Sequence, residues 1–96
     1  MAFLNAEERE HLLNELKELS FNRAKAKLRR MDPKGRLAYL RNSQGVNRWS
    51  TRYELKGLGA NVTLIEDYNK NERGGKVYGD FNLVEIVVEP TAENRT

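Results

Sequence analysis

The spacing of apolar residues changes once along this chain, at Asp32-Pro33-Lys34-Gly35. That change limits the folds open to it. Before it, Leu12, Leu13, Leu16 and Leu19 recur at helical spacing, and Asn5 followed three residues later by Glu8 reads as an N-terminal capping box. The spacing predicts a first helix from about residue 6 to 19. Ser20 is placed to cap a second helix over 21–31, with Phe21, Ala24, Leu28 and Met31 on one stripe and Arg23, Lys27 and Arg30 away from it. Asp32-Pro33 ends that helix, because the residue before a proline is pushed out of the α region.

After the break the period is two. Strands are expected at 36–41, 48–56, 61–68 and 77–89, with Gly79 marking a bulge and Pro90 ending the last. Trp49, Thr51, Tyr53 and Leu55 fall on one face of the second strand; Arg48, Ser50, Arg52, Glu54 and Lys56 fall on the other. Pairing that sets Tyr39 opposite Trp49 would also set Arg36 opposite Arg52. Short connections favour an antiparallel meander. The fold class expected is therefore α+β, with two N-terminal helices packed on one face of a three- or four-stranded antiparallel sheet. Residues 1–90 form the single domain and 91–96 a flexible tail. The core expected is Leu12, Leu16, Leu28, Trp49, Tyr53, Val62, Val84 and Ile86. The run Leu83-Val84-Glu85-Ile86-Val87-Val88 is apolar in both phases. With Val84, Ile86 and Val88 turned to the helices, Phe81, Leu83 and Val87 would point outward beside Ile65. That outward patch is a candidate interface for a second copy or another protein.

Composition narrows the chemistry. The absence of cysteine removes disulfides and thiolate nucleophiles. The one histidine, His11, has no recognisable nucleophile nearby. The acids of the first helix read as a solvated first turn, and Glu66-Asp67 is too small a pair for a tight cation site. Gly57-Leu58-Gly59 lacks the third glycine of a dinucleotide fingerprint and joins two strands. Lys76-Val77-Tyr78-Gly79-Asp80-Phe81 shares residues with an RNA-recognition signature, but helices come first here and Asp80 puts a negative charge among the aromatics. Asn61-Val62-Thr63 and Asn94-Arg95-Thr96 match the glycosylation tripeptide by chance. No signal-like run or membrane-length apolar stretch occurs in the sequence, so a cytoplasmic, non-enzymatic protein without cofactor, metal or membrane association is expected.

Charge supplies the functional expectation. Residues 1–20 carry five acids against two bases, 21–56 eleven bases against two acids, and 57–96 seven acids against four bases. A net charge of +3 thus hides a basic middle of +9. Such a segment suits an anionic partner. Nucleic acid bound with little sequence specificity is the expectation, through Arg23, Lys27, Arg30, Lys34, Arg48, Arg52 and Lys56; an acidic protein would meet the same charges. The alternative is an assembly module that dimerises or docks through Ile65, Phe81, Leu83 and Val87. A helix pair followed by a β-hairpin, with the second helix basic, resembles a winged helix. It departs from that family in having two helices and four strands, and the resemblance assigns no residue.

Overall fold

A computed structural model describes residues 2–41, 48–67 and 83–95, without the side chains of 38–41, 48–49 and 67. The first helix, α1, spans Ala6–Lys17 and opens with the expected capping box. Asn5 Oδ1 accepts from the Glu8 N–H at 2.8 Å, and Glu8 Oε1 accepts from the Asn5 N–H at 3.0 Å. The helix ends two residues earlier than its leucine spacing implies. The N–H groups of Glu18 and Leu19 bond back three residues, to the carbonyls of Glu15 and Leu16, so the last turn tightens and closes. The second helix, α2, spans Phe21–Met31. Ser20 has the extended backbone of an N-cap, but its hydroxyl makes no capping bond, contrary to expectation.

Four strands follow: β1 (Arg36–Arg41), β2 (Arg48–Leu55), β3 (Ala60–Asp67) and β4 (Leu83–Pro90). They form one antiparallel sheet in the order β1-β2-β3-β4, with a short 3₁₀ turn at Lys56–Leu58 between β2 and β3. This is the α+β meander expected. The β1–β2 register lies two residues from the one anticipated: Tyr39 pairs with Thr51 and Arg36 with Glu54. The inferred Arg36–Arg52 repulsion is therefore absent, and Arg36 faces an opposite charge.

The core lies between the helices and one sheet face. Leu12 and Leu16 of α1 join Phe21, Ala24 and Leu28 of α2, Tyr53 and Leu55 of β2, and Val62 and Leu64 of β3. Alternation explains the sheet half, since Tyr53 pairs with Val62 and Thr51 with Leu64 on the same buried face. Ile86 and Val88 pack against this cluster partly buried.

Two expected positions are exchanged in β4. Val84, expected in the core, is exposed, and Leu83, expected to point outward, packs against the core. The cause is a register shift. Ile65 pairs with Glu85, but Glu66 pairs with Leu83, which leaves Val84 as an extra residue. One extra residue reverses the faces beyond it, so Leu83 rejoins the core side. The bulge expected at Gly79 and strand residues 77–82 lie outside the described residues. Pro90 is the last residue of β4, at the sheet edge, where its missing N–H is tolerated.

The segment after Pro90 is pinned, not a free tail. Thr91 N–H donates to Gly59 O at 3.0 Å. Asn94 is buried, and its Nδ2 donates to Leu4 O at 2.7 Å and to Gly59 O at 2.9 Å. Leu4 N–H in turn donates to Leu58 O at 2.8 Å. Both chain ends thus meet at the 3₁₀ turn. Gly59 sits there with φ of 65°, and a Cβ would lie 2.6 Å from the Phe3 ring. Only glycine meets both demands. An Asn94 amide used in this way is also unavailable as a glycan acceptor in the folded chain.

Leu28→Ala should cost about 2–5 kcal/mol of unfolding free energy, as deletion of a fully buried side chain does. Val84→Ala should cost less than about 1 kcal/mol. Urea unfolding of the two variants checks the bulge as well as the core, because an unbulged β4 would turn Val84 to the core side and raise its cost above that bound. Asn94→Ala should lose about 1–3 kcal/mol by removing two hydrogen bonds, although Leu4 O keeps Arg9 Nη1 and Gly59 O keeps the Thr91 N–H as donor.

Candidate nucleic-acid interface

The basic side of α2 follows from its buried side. With Phe21, Ala24 and Leu28 turned to the sheet, Arg23, Arg29 and Arg30 are exposed to solvent and Lys27 is half-buried. A shallow groove runs between the helices. Arg23, Lys27 and Arg30 line it from α2, Glu15 from α1, and Glu18 from the position just past the end of α1. One ion pair crosses it: Lys27 Nζ lies 2.9 Å from Glu15 Oε2. The Lys27 ammonium holds the Glu15 carboxyl below its ordinary value, through the hydrogen bond first and its charge second, with a smaller contribution from His11. The pair is solvent-exposed on the acid side and contributes little to stability. His11 itself is exposed, with Nε2 3.3 Å from Glu15 Oε1.

The seven basic residues expected to form one surface are divided. Arg23, Lys27 and Arg30 are brought together along α2. Lys34 follows in the turn beyond it, exposed, with its N–H donating to Asp32 Oδ1 at 3.2 Å. The other Asp32 oxygen accepts the Gly57 N–H at 3.3 Å, tying this turn to the 3₁₀ turn that carries Lys56. The Lys56 side chain, however, lines a different groove, with Glu54, Asn61 and Glu93. Arg52 lies on the sheet face turned away from the helices, since Thr51, Tyr53 and Leu55 occupy the buried one. Arg48 has the same strand phase as Arg52, but its side chain lies outside the description. The sequence projection treated helix and strand bases as one patch because it could not place them on opposite sides of the sheet. It also passed over Arg29, whose exposure puts a fourth base on the outside of α2.

The alternative interface is divided as well. Ile65 and Val87 are half-buried residues of the outer sheet face, Leu83 is on the core side, and Phe81 lies outside the described residues.

In the sequence Glu66 is half of an acidic pair with Asp67. The structure buries it on the core face of β3, with Leu83 as its Cα partner in β4. Its Oε2 has no hydrogen-bond partner among the described residues. Burial pushes its carboxyl above the ordinary value, and the charge of Lys25 opposes that shift. Lys25 Nζ also sits 5.0 Å from the Phe21 ring centroid, within cation–π range.

Among the described residues there is no group of acids and histidines able to hold a metal ion, and no helix long and apolar enough to cross a membrane. Comparison of the chain with protein-family models, with curated proteins and with solved structures gives no match.

The raised Glu66 carboxyl has a consequence for stability. The folded state holds this proton to higher pH than the unfolded chain does. Stability therefore falls as pH rises from the ordinary carboxylate value through the raised one. Glu66→Gln removes the ionisation. Its advantage over the wild type should grow as pH rises from the ordinary carboxylate value and level off above the raised one, read as the difference in urea midpoints. A difference independent of pH would mean that Glu66 is not ionising in a buried site.

Proposed function

We propose that this protein is a non-enzymatic module that binds nucleic acid through the outer face of α2, with Arg23, Lys27, Arg29 and Arg30 meeting phosphates and Lys34 extending the contact past the helix end. One observation carries the reading. α2 is divided lengthwise, its apolar side buried in the core and its outer side basic, and among the described residues only Lys27 of the outer bases has an acidic partner. Bases so arranged repel one another, and phosphates relieve that repulsion while releasing their own counterions. The helix of 11 residues is about 16 Å long, enough to follow a few phosphates. Arg29 and Arg30 in the last turn also favour the negative end of the helix dipole. That effect accounts for those two positions and leaves Arg23 without a structural reason.

Base reading has little support. Asn22 is the one amide on α2, at its first turn, and the outer face otherwise offers arginine, lysine and Ala26. Contacts of this kind fix position on the backbone and carry little sequence information.

Affinity for a short duplex should fall steeply with salt, by about 0.9 log units per log unit of salt for each phosphate neutralised. Arg23→Gln with Arg30→Gln should reduce that slope by roughly two units and leave the fold intact, since both residues are exposed. Arg52→Gln should leave the slope unchanged, because Arg52 lies on the other side of the sheet. Fluorescence anisotropy at several salt concentrations reads all three. Absence of binding at low salt, or an Arg52→Gln effect equal to that of the α2 pair, contradicts the reading.

A further inference from the structure

The sheet face turned from the helices carries two features that the fold itself does not explain. Arg52 Nε is buried yet has no hydrogen-bond acceptor among the described residues. A buried donor without an acceptor is costly, more so on a charged group. On the same face, Ile65 and Val87 sit in adjacent rows of β3 and β4, a small half-buried apolar pair on a surface that neither α1 nor α2 covers.

The register adds an asymmetry of charge. Arg36 and Arg52 stand on β1 and β2, at one side of this face, with Glu54 as the one acid beside them among the described residues. Glu85 and Glu89 stand on β4, at the other side, with no base beside them on that strand. The rows align so that Arg36, on β1, is level with Glu89 on β4, through Glu54 and Asn61 between them.

We infer that this face is the interface of a homodimer, in which a second copy docks face to face about a two-fold axis parallel to the strands. That operation lays β4 of one copy over β1 of the other. Glu89 then meets Arg36 of the second copy, twice by symmetry, and Glu85 lies diagonal to Arg52 of the second copy. Ile65 and Val87 of each copy are covered by β2 and β1 of the other. A two-fold axis across the strands would instead stack β4 on β4 and set acid against acid, so charge selects the first arrangement. The two sheets would pack about 10 Å apart with strands near −30° to each other, as aligned sheets do. Four strands about 4.8 Å apart and eight residues long give a face of roughly 19 by 27 Å. Two such faces bury on the order of 1,000 Å², the lower end of specific interfaces, so the dimer is a weak one that dilution dissociates. The α2 faces of both copies remain outside it, and the inference is independent of the nucleic-acid reading.

Sedimentation velocity of the full chain without nucleic acid, from micromolar to millimolar, tests it. The wild type should pass from monomer to dimer. Arg36→Glu and Glu89→Lys should each weaken association by about tenfold or more, because each sets like charges together. The double variant Arg36→Glu/Glu89→Lys should recover it. Circular dichroism of each variant separates loss of association from loss of fold. If a charge reversal unfolds the chain, Val87→Lys and Glu85→Lys replace it, with the same loss expected. A wild type that stays monomeric at all concentrations overturns the inference. So does a dimer that neither reversal weakens, or a double variant no better than the singles.

Discussion

The structure depends on α2 lying with its apolar side against the sheet. By its own sequence this segment is a poor helix. It carries five bases and no acid, with like charges four residues apart at Arg23 and Lys27 and at Lys25 and Arg29. Its first turn has no acid to favour the dipole, and Ser20 supplies no capping bond. A helix of 11 residues is marginal in water even with good propensity. Burial of Phe21, Ala24 and Leu28 against Tyr53, Leu55 and Val62 therefore supplies most of what holds it. Each fully buried leucine contributes on the order of 1.5–3 kcal/mol, against a few tenths for a helix-surface charge pair. The ion pair from Lys27 to Glu15 adds a charged tie between the basic helix and the acidic one.

The outline of the fold was legible in the sequence because period is a local signal. The switch from 3.6 to 2 at Asp32-Pro33, the Asn5–Glu8 box and the alternation through Tyr53 and Leu55 all rest on residues close in the chain. Features set by distant residues were not. The β1–β2 register differs by two residues from the one that aromatic matching implies, and nothing local distinguishes them. The bulge that exchanges Leu83 and Val84 is a property of two strands together. The Asn94 clamp links residues 90 apart in sequence, so the end of the chain read as a tail. For the candidate site, the stripe Arg23, Lys27, Arg30 was visible from helical spacing alone. The assignment of Arg52 and Lys56 to the same surface failed because charge along a sequence does not say which side of a sheet it will occupy.

Glu66 is the place where the local rules conflict. Its strand phase puts a carboxylate on the face that Val62 and Leu64 share, next to Lys25 but without an ion pair to it among the described residues. Ordinary sequences avoid an unpaired buried carboxylate, because the charged form pays for its lost hydration. The division of labour across the sheet is otherwise consistent. Helices cover one face and present bases outward, while the opposite face mixes Arg36 and Arg52 with Glu54, Glu85, Glu89 and a small apolar pair. The two surfaces are separated by the core, so a change on one need not disturb the other.

The central claim, that the outer side of α2 is where this protein meets a polyanion, is tested most directly by following backbone amide resonances during titration with a short duplex at low salt. The account predicts shifts that concentrate in residues 22–34, with the amides of 50–54, 61–65 and 85–89 unmoved. Shifts centred on β2 and β3, or none anywhere at saturating duplex, would contradict it.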